Sequence, residues 1–172
     1  ITTQKNGASA LGLQRVLGLG SYETAWLWLH KIRRCMVRPG RDKLSGHVEV
    51  DDTYFGGEFE GKRGRGSENK VLVAVAVELK NQKLGRIRIS PVSDASGDSL
   101  RGFIQQSIEK GSHIITDGWP GYNGISAVGY IHEVILSKNT DKSDLLPHVH
   151  LVVSLLRRWL LGTLQGSASE KH

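Results

Sequence analysis

HVEVDDTYFGG, residues 47 to 57, sets His47, Glu49 and Asp51 in alternation with Val48, Val50 and Asp52. Side chains that alternate in this way stand on opposite faces of a β-strand, so the odd-numbered residues share one face. Asp51 therefore lies inside a strand that carries Val48 and Val50 before it and Tyr54 and Phe55 after it. A carboxylate in that position costs free energy unless it is paired or bound to a cation, which makes Asp51 the first candidate metal ligand.

Toward the C-terminus, the glycine-rich basic stretch GKRGRG leads into VLVAVAVEL, Val71 to Leu79. An unbroken apolar run of this length reads as a central strand buried on both faces. NQKLG marks a hairpin turn, and RIRISPV, Arg86 to Val92, alternates as a third strand. A helix is expected from about Gly97 to Lys110, with Leu100, Phe103, Ile104 and Ile108 on one side. A fourth strand, HIITD, ends at Asp117; a fifth is expected over Tyr130 to Leu136 and a last helix over about Leu145 to Leu161. Three strands in hairpin connection followed by helix, strand, strand and helix describe an α/β fold, a mixed five-stranded sheet flanked by helices.

Asp117 at the end of a strand is a second carboxylate of the same kind, although the Gly118 that follows also suits it to a turn. His150 and Arg157 are seven residues apart in the last helix, which brings both to one face, while Val149, Val152, Val153, Leu156 and Leu160 occupy the opposite side. The separations are 117 − 51 = 66 and 150 − 117 = 33 residues.

Toward the N-terminus, ASALGLQRVL reads as a short helix ended by Gly18 and Gly20, and Ser21 is placed to cap a second helix from Tyr22 to about Met36. Trp26, Leu29, Ile32 and Met36 recur there at helical steps, with core packing the expected use of Trp26 and Trp28. Helix, glycine turn and basic helix suit a helix-turn-helix remnant, and equally any helical hairpin. The domain reading is a helical segment over residues 1–43 and a sheet domain over 44–172.

The chain has 172 residues, 38% of them hydrophobic, enough for one domain and a small appendage. It has no continuous apolar run of membrane-spanning length and no signal-peptide pattern at its start, so a cytoplasmic location is expected. Cys35, the only cysteine, excludes an internal disulfide and a cysteine-built zinc site, and is expected to be a small, partly buried hydrophobe. Lys and Arg outnumber acids 23 to 17. Six bases (Lys31, Arg33, Arg34, Arg38, Arg41, Lys43) fall within thirteen residues, and Lys62, Arg63 and Arg65 form a second cluster. Two basic segments suit a track along a phosphate backbone, or else a solvated face and a loop.

With VEVDDTYFGG (Val48 to Gly57), TDGWPGY (Thr116 to Tyr122) and HVHLVVSLLRRWLLGT (His148 to Thr163) in order, the sequence resembles the DDE-superfamily transposases of small bacterial insertion sequences. The group in question has a first motif of the form VEVDETYFGG. The likeness extends upstream through GLQRVLGLGSYETAWLWLHKIRR, Gly12 to Arg34. It implies a ribonuclease-H-like fold, metal-dependent nicking and strand transfer at insertion-sequence ends, and a two-metal site for Mg²⁺ or Mn²⁺. Asp51 would bridge the ions, Asp117 would bind one, and His150 would complete the other's shell. His150 stands where the family has Glu or sometimes Asn, and imidazole suits Mn²⁺ better than Mg²⁺; His148 is the alternative donor. Arg157 matches the family's basic position that would hold a DNA phosphate, with Arg158 beside it. Double-stranded DNA and a homodimeric or larger assembly are the implied partners, and a nucleoid-associated bacterial location follows. The family's usual zinc ribbon and C-terminal extension have no counterpart here, so a truncated chain is expected. An inactive DNA-binding relic, or a metal-dependent nuclease of the same fold, is the alternative reading.

Overall fold

The computed structural model describes residues 7–36, 40–56, 70–136 and 145–164. They divide into two compact units: a helical one of residues 7–36, 40–42 and 155–164, and a sheet unit of residues 43–56, 70–136 and 145–154.

In the helical unit, α1 (Ala10–Leu17) starts at Ser9, whose hydroxyl accepts the Gly12 N–H at 3.0 Å. It stops at Gly18, whose φ of 63° lets its N–H reach back to the Gln14 carbonyl. α2 (Tyr22–Met36) follows, and Ala8, Ala10, Leu13 and Leu29 form the small buried cluster of this unit. The wider apolar stripe expected on α2 is not buried: Leu29 is, together with Ala25, but Trp26, Trp28 and Met36 are about half exposed. The small α1 side chains form a seam too narrow to cover them. Cys35 is likewise exposed; six residues beyond Leu29 it has turned well away from that seam.

The sheet unit holds β1 (His47–Phe55), β2 (Val71–Lys80), β3 (Lys83–Pro91), β4 (His113–Thr116) and β5 (Ile131–Val134) in the order β3-β2-β1-β4-β5. β2 runs antiparallel to β1 and β3, whereas β4 is parallel to β1 and β5 to β4. This is the mixed five-stranded sheet expected from the sequence. β2 is buried on both faces over Leu72–Val77. The hairpin is tighter than expected, because Asn81 and Gln82 both take positive φ (52° and 59°) and so close a two-residue turn from Lys80 to Lys83. β3 thus begins three residues before Arg86. A register shift between Val77 and Leu79 brings Glu78 to Arg86, and a Cβ at Gly85 would lie 2.8 Å from the Glu78 carbonyl oxygen, so glycine is required there.

α3 (Gly97–Ser107) is shorter than expected. Ile108 turns extended and bridges Leu44, with the Leu44 N–H donating to the Ser107 carbonyl and the Glu109 N–H to the Leu44 carbonyl, so the backbone leaves the helix for a strand-like pairing. β5 is also shorter, since Tyr130 turns into the core and donates its hydroxyl to the Ile108 carbonyl. The even-numbered face of β1, with Val48 and Val50, joins Ala74, Ala76, Ile114 and the α3 residues Leu100, Phe103 and Ile104 in the main core. α4 (Pro147–Leu164) begins and ends later than expected, with proline at its first position. Its buried Val149, Val152 and Val153 lie in the sheet unit, whereas Leu156 and Leu160 belong to the helical unit. No helix among the described residues is long and apolar enough to cross a membrane.

Candidate metal centre

The odd-numbered face of β1 carries Glu49 and Asp51. Asp51 is held in mid-strand by pairing with Val75 of β2, and its Oδ1 accepts the N–H of Asp52 at 2.8 Å. Its Oδ2 faces His150 Nε2 of α4 at 3.7 Å. Asp117 follows β4 directly and its Oδ1 accepts the Trp119 N–H at 3.0 Å, so the turn role foreseen for it is present. Asp51, Asp117 and His150 all line one cavity of about 420 Å³, together with Gly118, Ile135, Leu136, Leu145 and Leu146. The three residues singled out in the sequence are thus brought to one place.

His148 is engaged elsewhere. Its Nδ1 lies 2.8 Å from Glu49 Oε1, and its N–H and that of Val149 both donate to Glu49 Oε2 at 3.0 Å. Of the two histidines it is His150 that reaches the Asp51 carboxylate. Glu49 is itself buried, 4% exposed, and these three contacts replace the water it has lost. Sequence reasoning placed Glu49 on the face of Asp51 but gave it no role. The alternation was the available signal.

The second motif is tied to β1 from the other side. Trp119 Nε1 donates to the Ala95 carbonyl at 3.0 Å, and Pro120–Tyr122 forms a 3₁₀ turn. A Cβ at Gly121 would lie 2.6 Å from the Ala95 carbonyl oxygen, so glycine lets this turn approach so closely. The turn delivers Tyr122, whose hydroxyl donates to Asp52 Oδ1 at 3.1 Å. Burial and then the charges of Asp52, Asp51 and Asp117 push the Tyr122 phenol well above its ordinary pKa. Three carboxylates thus gather around this phenol, and negative charge so gathered favours a cation. Asp52 points to the face opposite Asp51, as the alternation predicts.

A cation touching both Asp51 and His150 at about 2.1 Å each spans at most about 4.2 Å between them, so the observed 3.7 Å is compatible with one ion held by both. Among the described residues no three His, Cys, Asp or Glu side chains stand close enough together to form a finished cage. The donors therefore fit as an Asp51–His150 pair with Asp117 on the same cavity.

Arg157 and Arg158 are exposed on the part of α4 in the helical unit, as are Lys31 and Arg34 on α2. Arg33 is partly buried: its Nη2 donates to the Ala8 carbonyl at 3.0 Å and its guanidinium lies 5.4 Å from the centre of the Trp159 ring. That packing gives Arg33 a structural use. Lys62, Arg63 and Arg65, like Arg38, lie outside the described residues.

The sequence profile described as ISXO2-like transposase domain matches residues 43–172. Among solved structures, the chain is similar to the catalytic core domain of BIV integrase, at 15% identity and a TM-score of 0.46 over 73% of this chain and 74% of that one. It is also similar to a chain of the simian T-cell lymphotropic virus intasome in complex with PP2A regulatory subunit B56 gamma, at 14% identity and a TM-score of 0.43, over 88% of this chain and 54% of that one. No curated protein gives a significant match.

Proposed function

Because the chain belongs to the ISXO2-like transposase domain family, we propose that it is a DNA transposase catalytic domain that nicks DNA at insertion-sequence ends and joins the freed strand to a target. The observation that carries this reading is the convergence of Asp51, Asp117 and His150, 66 and 33 residues apart in sequence, on one cavity. Both reactions are in-line displacements at phosphorus, with water as nucleophile in the first and a 3′-hydroxyl in the second. Divalent cations bound here, Mg²⁺ or Mn²⁺, supply acidification of the attacking hydroxyl and charge neutralisation at the leaving oxygen.

In this scheme Asp51, His150 and Asp117 would be the side chains that hold the cations. Asp51 is a strand residue with paired neighbours, so its carboxylate is pre-placed and little reorganisation accompanies binding. Trp119 fixes Asp117 through its N–H, which leaves the carboxylate one preferred orientation. The imidazole adds a neutral donor in place of a third carboxylate, which favours Mn²⁺ over Mg²⁺. Arg157 and Arg158, with Lys31 and Arg34, are the proposed contacts to phosphates of double-stranded DNA, and Lys62, Arg63 and Arg65 remain candidates by sequence alone. A homodimer or larger assembly on paired DNA ends is part of the same proposal, as is a bacterial, nucleoid-associated location.

The test is calorimetric titration of Mn²⁺ and Mg²⁺ into the chain and into Asp51→Asn and Asp117→Asn, with circular dichroism to verify folding and a nicking assay on supercoiled DNA. Mn²⁺ binding that both substitutions remove, accompanied by nicking, is the expected result. Salt-dependent DNA binding with no metal uptake at millimolar concentration would replace this reading with that of an inactive DNA-binding relic. Nicking without joining of a 3′-hydroxyl end would leave a nuclease.

A further inference from the structure

The first turn of a helix exposes N–H groups with no partner inside the helix, and a side chain just before the helix usually accepts them. α4 is preceded by Leu146, which has no side-chain acceptor. Its N–H groups at His148 and Val149 are instead taken by Glu49 Oε2, both at 3.0 Å, from a strand about a hundred residues away. The second oxygen, Oε1, lies 2.8 Å from His148 Nδ1. The Glu49 carboxylate is therefore occupied on both sides by one turn of α4, and at 4% exposure it has little access to water. It stands two residues before Asp51 on the same strand face, as His148 stands two residues before His150. The two pairs run side by side: Glu49 on His148 at 2.8 Å, and Asp51 opposite His150 at 3.7 Å.

We infer that Glu49 is a positioning residue that locks the first turn of α4 onto β1 and so sets His150 in register with Asp51. The inference rests on the reading of Asp51 and His150 as joint ligands only for its consequence in metal affinity; the geometric claim stands without metal. A buried, charge-assisted contact to two backbone N–H groups and one imidazole fixes the rotation and the height of the helix together. No apolar contact between Val149 and the sheet would do the same, because apolar packing tolerates small slides. Glu49→Gln keeps the volume and one acceptor but loses the charge. Glu49→Asp keeps the charge but is shorter by one methylene.

The experiment uses the whole chain and nuclear magnetic resonance without metal, followed by Mn²⁺ titration. In the unsubstituted chain the His148 and Val149 amides are expected to exchange slowly for the first turn of a helix, with a through-space contact between the His150 ring protons and the Asp51 side chain. In Glu49→Gln the amide protection should fall at least about tenfold and the His150–Asp51 contact should weaken while the circular dichroism spectrum is retained. Mn²⁺ affinity should drop about ten- to a hundredfold, the range for a residue that orients a ligand. A His150–Asp51 contact that persists unchanged after protection is lost would reduce Glu49 to a helix cap and overturn the inference. Should Glu49→Gln fail to fold, His148→Ala removes only the imidazole contact. A weakened His150–Asp51 contact in that variant supports the inference, and an unchanged one overturns it. If the unsubstituted chain takes up no Mn²⁺, the metal reading fails by itself, and the metal-free contact still decides the role of Glu49.

Discussion

On the even-numbered face of β1, Val48 and Val50 are fully buried among Leu100, Phe103, Ile104 and Tyr122; on the odd-numbered face, two residues of the same strand, Glu49 and Asp51, present carboxylates to α4. The first face excludes water with side chains that are interchangeable in chemistry and constrained mainly in volume. The second is built from groups that each need a particular partner at a particular distance. One strand nine residues long thus separates what stabilises the fold from what arranges the candidate site, and the alternation of the β-strand is the device that keeps them apart.

If that separation holds, Phe103→Ala should cost about 3 to 5 kcal/mol of stability by urea denaturation and leave the Mn²⁺ affinity of the folded fraction unchanged. Affinity falling in step with stability would show that the two faces are coupled. Tyr122→Phe tests a link that crosses from the core to an acid of β1. Removing the hydroxyl that donates to Asp52 should cost about 1 kcal/mol. It should also alter the alkaline limb. The Tyr122 pKa is raised in the folded chain by burial and then by the nearby carboxylates, so its contribution is present below the unfolded value of about 10 and is lost as pH rises above it. Stability of the unsubstituted chain should therefore fall more steeply above that pH than stability of Tyr122→Phe.

The smallest effect is expected at the β2 bulge, outside both the core and the cavity. Hydrogen bonds from Arg86, ahead of those from Ser45, hold Glu78 down at about 2. A depressed carboxylate pKa gives stability that is present above the ordinary value of 4.5 and is lost as pH falls toward 2. Glu78→Gln should flatten the acid limb in that window and change neutral-pH stability by less than about 1 kcal/mol. A larger change at neutral pH would place a third region beside the two faces of β1.

The alternation of residues 47 to 52 and the unbroken apolar run after Val71 made the sheet legible, because strand periodicity is written in consecutive residues. Asp51, Asp117 and His150 were legible as candidates for a different reason: carboxylates at strand positions and the three ordered motifs mark them. The partner of Glu49 was not legible, since nothing local in HVEVDD says that its acceptors will meet N–H groups a hundred residues later. The end of α3 was missed because the pairing of Ile108 with Leu44 is a tertiary event that overrides a good helical pattern. Trp26 and Trp28 were misjudged because periodicity identifies a stripe but not whether a partner surface is wide enough to cover it.

The separation along the chain of the atoms that hold α4 also bears on the order of folding. β2 and β3 meet across a two-residue turn, whereas Glu49 must wait for His148 and Val149, 99 and 100 residues away. Closing so long a loop carries a larger entropic cost and is rewarded only after the sheet exists to receive the helix. The hairpin is therefore expected to form early and the Asp51–His150 pair late. In pulsed hydrogen exchange during refolding, β2 and β3 amides should gain protection before those of His148 and Val149, and a chain stopped at that stage would have its hairpin but no assembled cavity.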